Sequence, residues 1–101
     1  MKNINNCNLD ELEILAEPVY SLLNCDELKS AIDSNNLIKV GTTALKLRES
    51  ECNVILNTLG ADEKSSDLDR VMGIATTILG VFSNKIMLDF FTSVNPKKEE
   101  K

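Results

Sequence analysis

The sequence predicts an all-α protein, a small bundle of about five to six short helices with no sheet. Three observations carry that expectation. Apolar residues recur at three- and four-residue spacing along most of the chain, no segment alternates with the two-residue period of a strand, and polar side chains able to cap helices precede the apolar runs.

Taken in order, Met1 to Cys7 show little apolar periodicity, and four asparagines crowd the stretch up to Asn8, so residues 1–8 read as a mobile leader. A single helical domain is expected over residues 9–94. Asn8 with Glu11 three residues on has the spacing of a capping box, and Leu12, Leu15, Val19 and Leu22 then recur at helical intervals. Pro18 interrupts them. Because proline lacks an amide donor and disfavours helical geometry in the residue before it, a kink or break is expected at Glu17.

Asn24 with Glu27 repeats the capping spacing ahead of Leu28, Ala31 and Ile32, and Asp33 to Asn36 stop that helix. A third helix follows, with Leu37, Val40, Gly41, Ala44, Leu45 and Leu47 on one face and Lys39, Thr42, Thr43 and Lys46 on the other. Ser50 is placed to cap a fourth element carrying Val54, Ile55 and Leu59, and Gly60 occupies the position of a left-handed helix terminus. After the polar linker at 61–66, Ser66 and Asp69 start a helix whose stripe is Leu68, Val71, Met72, Ala75, Ile78, Leu79 and Phe82. The final helix begins after Ser83 and Asn84, with Met87, Phe90, Phe91 and Val94 in register, and residues 95–101 read as a disordered charged tail.

Composition limits what such a bundle does. Eleven basic against sixteen acidic residues leave a net charge of -5, which disfavours nucleic acid as a partner. The absence of histidine removes the commonest general base and transition-metal ligand, so no enzyme activity, cofactor or metal is expected. Cys7, Cys25 and Cys52 are odd in number and widely spaced, and no secretory signal precedes them; a reducing cytoplasm suits them better than a disulfide framework or a zinc site. The longest uncharged run, Val71 to Phe82, is too short to span a bilayer.

Other constellations read as structure. Asp62, Glu63, Asp67 and Asp69 lack the alternation and closing glutamate of a calcium loop, and suit a solvated linker and helix start. Glu49 and Glu51 have no apolar or basic neighbourhood to tune them for acid–base work. Gly41-Thr42-Thr43 lacks the glycine spacing and lysine of a phosphate loop.

Two helices carry more apolar surface than one buried face requires. Opposite the main stripe of the fifth stand Gly73, Thr76, Thr77 and Gly80, where a surface helix would hold lysine or glutamate; a second backbone is expected to cover them, from the same chain or from another copy. In the last helix, Phe90 and Phe91 point about 100° apart and cannot both centre one stripe. The candidate partner or oligomer interface is therefore Gly73, Thr76, Thr77, Gly80, Met87, Phe90, Phe91 and Val94, with burial inside one molecule the competing account for each.

The segment from Leu45 to Ser93, about half the chain, resembles the tail assembly chaperones of long-tailed phages. The likeness lies in the helix Glu51-Cys52-Asn53-Val54-Ile55-Leu56-Asn57-Thr58-Leu59-Gly60, the polar linker before a second long apolar helix, and the ending Met87-Leu88-Asp89-Phe90-Phe91-Thr92-Ser93. Lys64-Ser65-Ser66 departs from the more acidic or aromatic linker of that family. The resemblance implies a non-enzymatic protein of the host cytoplasm, absent from the mature virion, that forms a homo-oligomer and coats the helices of the tape measure protein until tail subunits polymerise around it. From the residues alone a different class is equally open: a small acidic helical inhibitor or regulator that binds one host protein.

Overall fold

A computed structural model describes residues 1–93, and those residues form one 3-10 turn, Ile4–Asn6, and six α-helices: α1 Leu9–Leu23, α2 Asp26–Ser34, α3 Leu37–Leu47, α4 Glu49–Leu59, α5 Asp67–Phe82 and α6 Lys85–Ser93. The described residues contain no strand, so the fold is all-α. The tail at 95–101 and Val94 lie outside the described residues.

Local chemistry starts and stops several of these helices. Asn8 accepts from the Glu11 amide at 2.9 Å while the Glu11 carboxylate accepts from the Asn8 amide at 2.9 Å, so two amides that lack helical partners are satisfied reciprocally. Ser66 and Asp69 form the same box at the start of α5. Asn36 caps α3 by accepting from the Lys39 amide. Two C-terminal residues take left-handed geometry, Asn35 after α2 and Gly60 after α4, where φ is 57° and 96°.

The helices assemble around α5. Its most extensive partner is α3, while α1 packs chiefly on α4, α2 closes over α3, and α6 folds back on α5 and α1. Leu15, Val19, Leu22, Leu28, Val40, Ile55, Leu56, Leu59, Ile74, Ile78, Val81 and Phe91 are fully buried in one cluster. A fully buried side chain of this kind contributes about 1.5–3 kcal/mol, so the core rather than helix propensity holds these short elements.

Five expectations need correction. The leader is docked on the bundle: Ile4 is 3% exposed and belongs to the core cluster, because one isoleucine within a polar run finds an apolar seat that periodicity over so few residues cannot reveal. Pro18 does not break α1. It sits inside a continuous helix flanked by buried Leu15, Ala16, Val19, Leu22 and Leu23, and tertiary burial outweighs the lost backbone bond. With α1 running on to Leu23, Asn24 becomes its C-terminal cap, its side-chain amide donating to the Tyr20 carbonyl at 3.0 Å, and Cys25 takes the N-terminal position of α2. Arg48 both ends α3 and precedes α4, so α4 begins one residue before Ser50, which caps nothing.

The fifth correction concerns the face of α5. Its buried residues are Ile74, Ala75, Thr77, Ile78 and Val81, a face turned by roughly 90° from the predicted stripe at 100° per residue. Leu68 and Phe82 of that stripe are 58% and 39% exposed. Val71, Met72 and Leu79 of the stripe are half-buried, and only Ala75 and Ile78 belong to both faces.

Candidate interaction surface

The predicted interface residues separate into three environments. Thr77 and Phe91 are inside the molecule, 2% and 0% exposed. The Thr77 hydroxyl donates to the Gly73 carbonyl at 2.8 Å, so its burial leaves no hydrogen bond unmade. Phe91 meets Phe90 edge to face, with ring centroids 5.2 Å apart, but Phe90 is only half-buried.

Gly73 and Gly80 lie on the small-residue face of α5, and the docked N-terminal segment covers that face. A methyl carbon built on Gly73 would stand 3.1 Å from the Met1 terminal methyl and 3.4 Å from Leu56 Cδ2; one on Gly80 would be 4.0 Å from Ile4 Cγ2. The cover predicted for these residues therefore exists within the chain, supplied by an extended segment and a short turn instead of a second helix. Thr76 alone of this face is exposed, its hydroxyl turned back to the Met72 carbonyl at 2.8 Å. Beside it an open groove of about 370 Å³ runs between Met1 and Lys2 on one wall and Met72 and Thr76 on the other.

A different apolar surface remains at the corner between α5 and α6. The two helix axes turn by 96° across Ser83 and Asn84, and Asn84 starts α6 by accepting from the amides of Ile86 and Met87 at 3.1 and 3.2 Å. The turn leaves Phe82 39% exposed and Ile86 82% exposed, the most exposed large apolar side chain described. Met87, Leu88 and Phe90 continue from it half-buried. Ile86 with Phe90 and Met87 with Phe91 are i, i+4 pairs on adjacent ridges of α6; the first runs from exposed Ile86 to half-buried Phe90, the second from half-buried Met87 to buried Phe91. That spacing was present in the sequence; what it could not say was which ridge met the core. Lys85 and Asp89 form an exposed ion pair at 3.1 Å on the same helix.

A second groove, about 490 Å³, lies between α1 and α4, where Pro18, Tyr20, Arg48 and Val54 line it. Of these, Pro18 was expected to break α1 and Val54 to continue the apolar run of the fourth helix; α1 runs through Pro18 and Val54 is 42% exposed.

Titratable groups are perturbed elsewhere. Hydrogen bonds from Lys2 and from the Asn8 amide hold the Glu11 carboxyl below its usual range. Burial, with the charges of Glu51 and Glu49, pushes the Cys52 thiol up to about 12. Among the described residues no three histidine, cysteine, aspartate or glutamate side chains converge as a metal site would require. Asp62 instead orders its own linker, accepting from the Lys64 amide at 2.9 Å and, through its carbonyl, from Arg70 at 2.7 Å. No single described helix is long and apolar enough to cross a membrane. Comparison with protein-family models, with curated proteins and with solved structures finds no match to this chain.

Proposed function

We propose that this chain is a tail assembly chaperone of a long-tailed phage: a non-enzymatic protein of the host cytoplasm that self-associates and holds the helices of the tape measure protein in solution during tail assembly. The observation that carries the reading is the exposed apolar corner formed by Phe82 and Ile86, continued by half-buried Met87 and Phe90. An amphipathic helix is held by laying its apolar side on such a surface, and the corner supplies one with lysine and aspartate at its edge. Net charge of -5 keeps a coated complex soluble and attracts basic stretches of a client. The resemblance over Leu45 to Ser93 supports the same function.

Of the residues first assigned to the interface, Met87 and Phe90 stay in this proposal along with Thr76. Phe82 and Ile86 join them. Thr77 and Phe91 are buried within the molecule, Phe91 packing against Phe90.

Gel filtration with multi-angle light scattering tests the reading. Self-association at high concentration and a shift to larger species with tape measure fragments are the expected results, with several copies bound along one fragment. A strict monomer that ignores every fragment rejects it. A one-to-one complex with a single host protein would instead favour an inhibitor.

A further inference from the structure

We infer that residues Met1 to Asn6 form a strap that opens as a unit of its own, without unfolding of the bundle, and that its opening bares the Gly73–Gly80 face of α5. This inference stands independently of the proposed function, since it concerns the free protein.

The attachments of the strap are few and of known kind. One large side chain, Ile4, is buried in the core, while Met1 lies over Gly73 yet remains 51% exposed. The Lys2 amide donates to the Leu59 carbonyl at 2.7 Å, joining the strap to the end of α4. The Lys2 ammonium meets Glu11 at 2.5 Å, an exposed ion pair of the kind that contributes little once solvent and salt screen it. Against these stands the conformational entropy of six ordered residues, five of which are exposed.

The geometry of the junction permits separate motion. Cys7 and Asn8 have extended backbone, and the Asn8–Glu11 capping box closes the start of α1 without using any strap residue before Asn8. Releasing the strap therefore leaves α1 capped. The surface it would uncover contains Gly73 and Gly80, so opening adds a small-residue face to the exposed Thr76.

The three cysteines provide a reporter and its internal control. Cys7 is half-buried at the hinge, its thiol donating to the Asn3 carbonyl at 3.9 Å, whereas Cys25 and Cys52 are 1% and 0% exposed inside the bundle. Burial holds the Cys7 thiol above its usual range, the Glu11 charge adding to it, so an open strap makes this thiol both more accessible and more ionised.

Native-state hydrogen exchange on the unmodified protein is the first test. The Lys2 amide is expected to exchange through an opening insensitive to low denaturant, with a protection factor at least about 100-fold below that of Ile78 in α5. Equal protection and equal denaturant dependence for the two amides would falsify the inference. The second test labels thiols with N-ethylmaleimide, read by mass spectrometry, in Ile4→Ser. Cys7 labelling is expected to rise about tenfold or more while Cys25 and Cys52 keep their original rates. If all three cysteines accelerate together, or if none does, Ile4 is not the latch of an independent strap and the inference is overturned.

Discussion

Gly41 of α3 stands directly against the Val71 peptide of α5. A methyl carbon added to Gly41 would lie 2.7 Å from Val71 Cγ1 and 2.9 Å from the Val71 carbonyl carbon, and closer still to the carbonyl oxygen. Since the obstacle is backbone, no side-chain rotation can relieve it, and the largest helix–helix interface of the bundle depends on this one missing side chain. Gly41→Ala is expected to destabilise by about 3 kcal/mol, at the upper end of overpacking effects. Gly80→Ala, with nothing nearer than 4.0 Å, is expected to stabilise by about 0.5–1 kcal/mol through helix propensity. Urea midpoints followed by circular dichroism distinguish the two, and equal shifts would contradict the packing described.

Neighbouring residues of α6 should behave oppositely under substitution. Phe91→Ala empties a fully buried site and is expected to cost about 3–5 kcal/mol. Ile86→Glu, at a position 82% exposed, should change stability by no more than about 0.5 kcal/mol. The same Ile86→Glu protein should lose its response to tape measure fragments in gel filtration; retained binding would place the client elsewhere on the molecule.

Acid stability should depend on Glu11. Its folded carboxyl lies below the ordinary carboxylate range, first through the Lys2 hydrogen bond and then through the Asn8 amide. A group depressed on folding contributes stability above its unfolded value and loses that contribution as pH falls through the folded one. Glu11→Gln is expected to flatten the acid side of a stability-against-pH curve, with little change in its shape above neutrality. An unchanged acid limb would show that the Lys2–Glu11 contact is not populated in solution.

The alkaline side should depend on Cys52. Its thiol is raised from an ordinary 9.0 to about 12, chiefly by burial and then by Glu51 and Glu49, so folding favours the neutral thiol. That contribution is complete below pH 9 and declines as pH rises toward about 12. Cys52→Ala is expected to be less stable at neutral pH by about 1 kcal/mol from the smaller side chain, yet to lose less stability than the parent between these limits. Parallel losses in both proteins would show that lysine and tyrosine titration dominate instead.

Much of this architecture was legible from short stretches of chain. Asn8–Glu11 and Ser66–Asp69 are capping boxes as their spacing predicts, and Gly60 ends α4 in left-handed geometry. Other local signals were outvoted. Asn24 and Glu27 had the same spacing as the true boxes, but α1 passed through Pro18 and took Asn24 for its own terminus. The candidate interface was legible only as a surplus of apolar and small residues, not as a surface: Met87 and Phe90 border the exposed corner, Thr77 and Phe91 are core, and Leu68 and Phe82 are exposed although the stripe placed them inside.

What the sequence determined by itself was whatever depends on partners within about four residues: helical class, the capped starts, the glycine stop. Only the tertiary structure decided which side of α5 is inside, where the N-terminal strap lies and which phenylalanine is hidden. Those choices rest on side chains distant along the chain, such as Val71 against Gly41 and Ile4 beside Gly80, and burial energy is assigned by the packed neighbour, not by the spacing of residues along one helix.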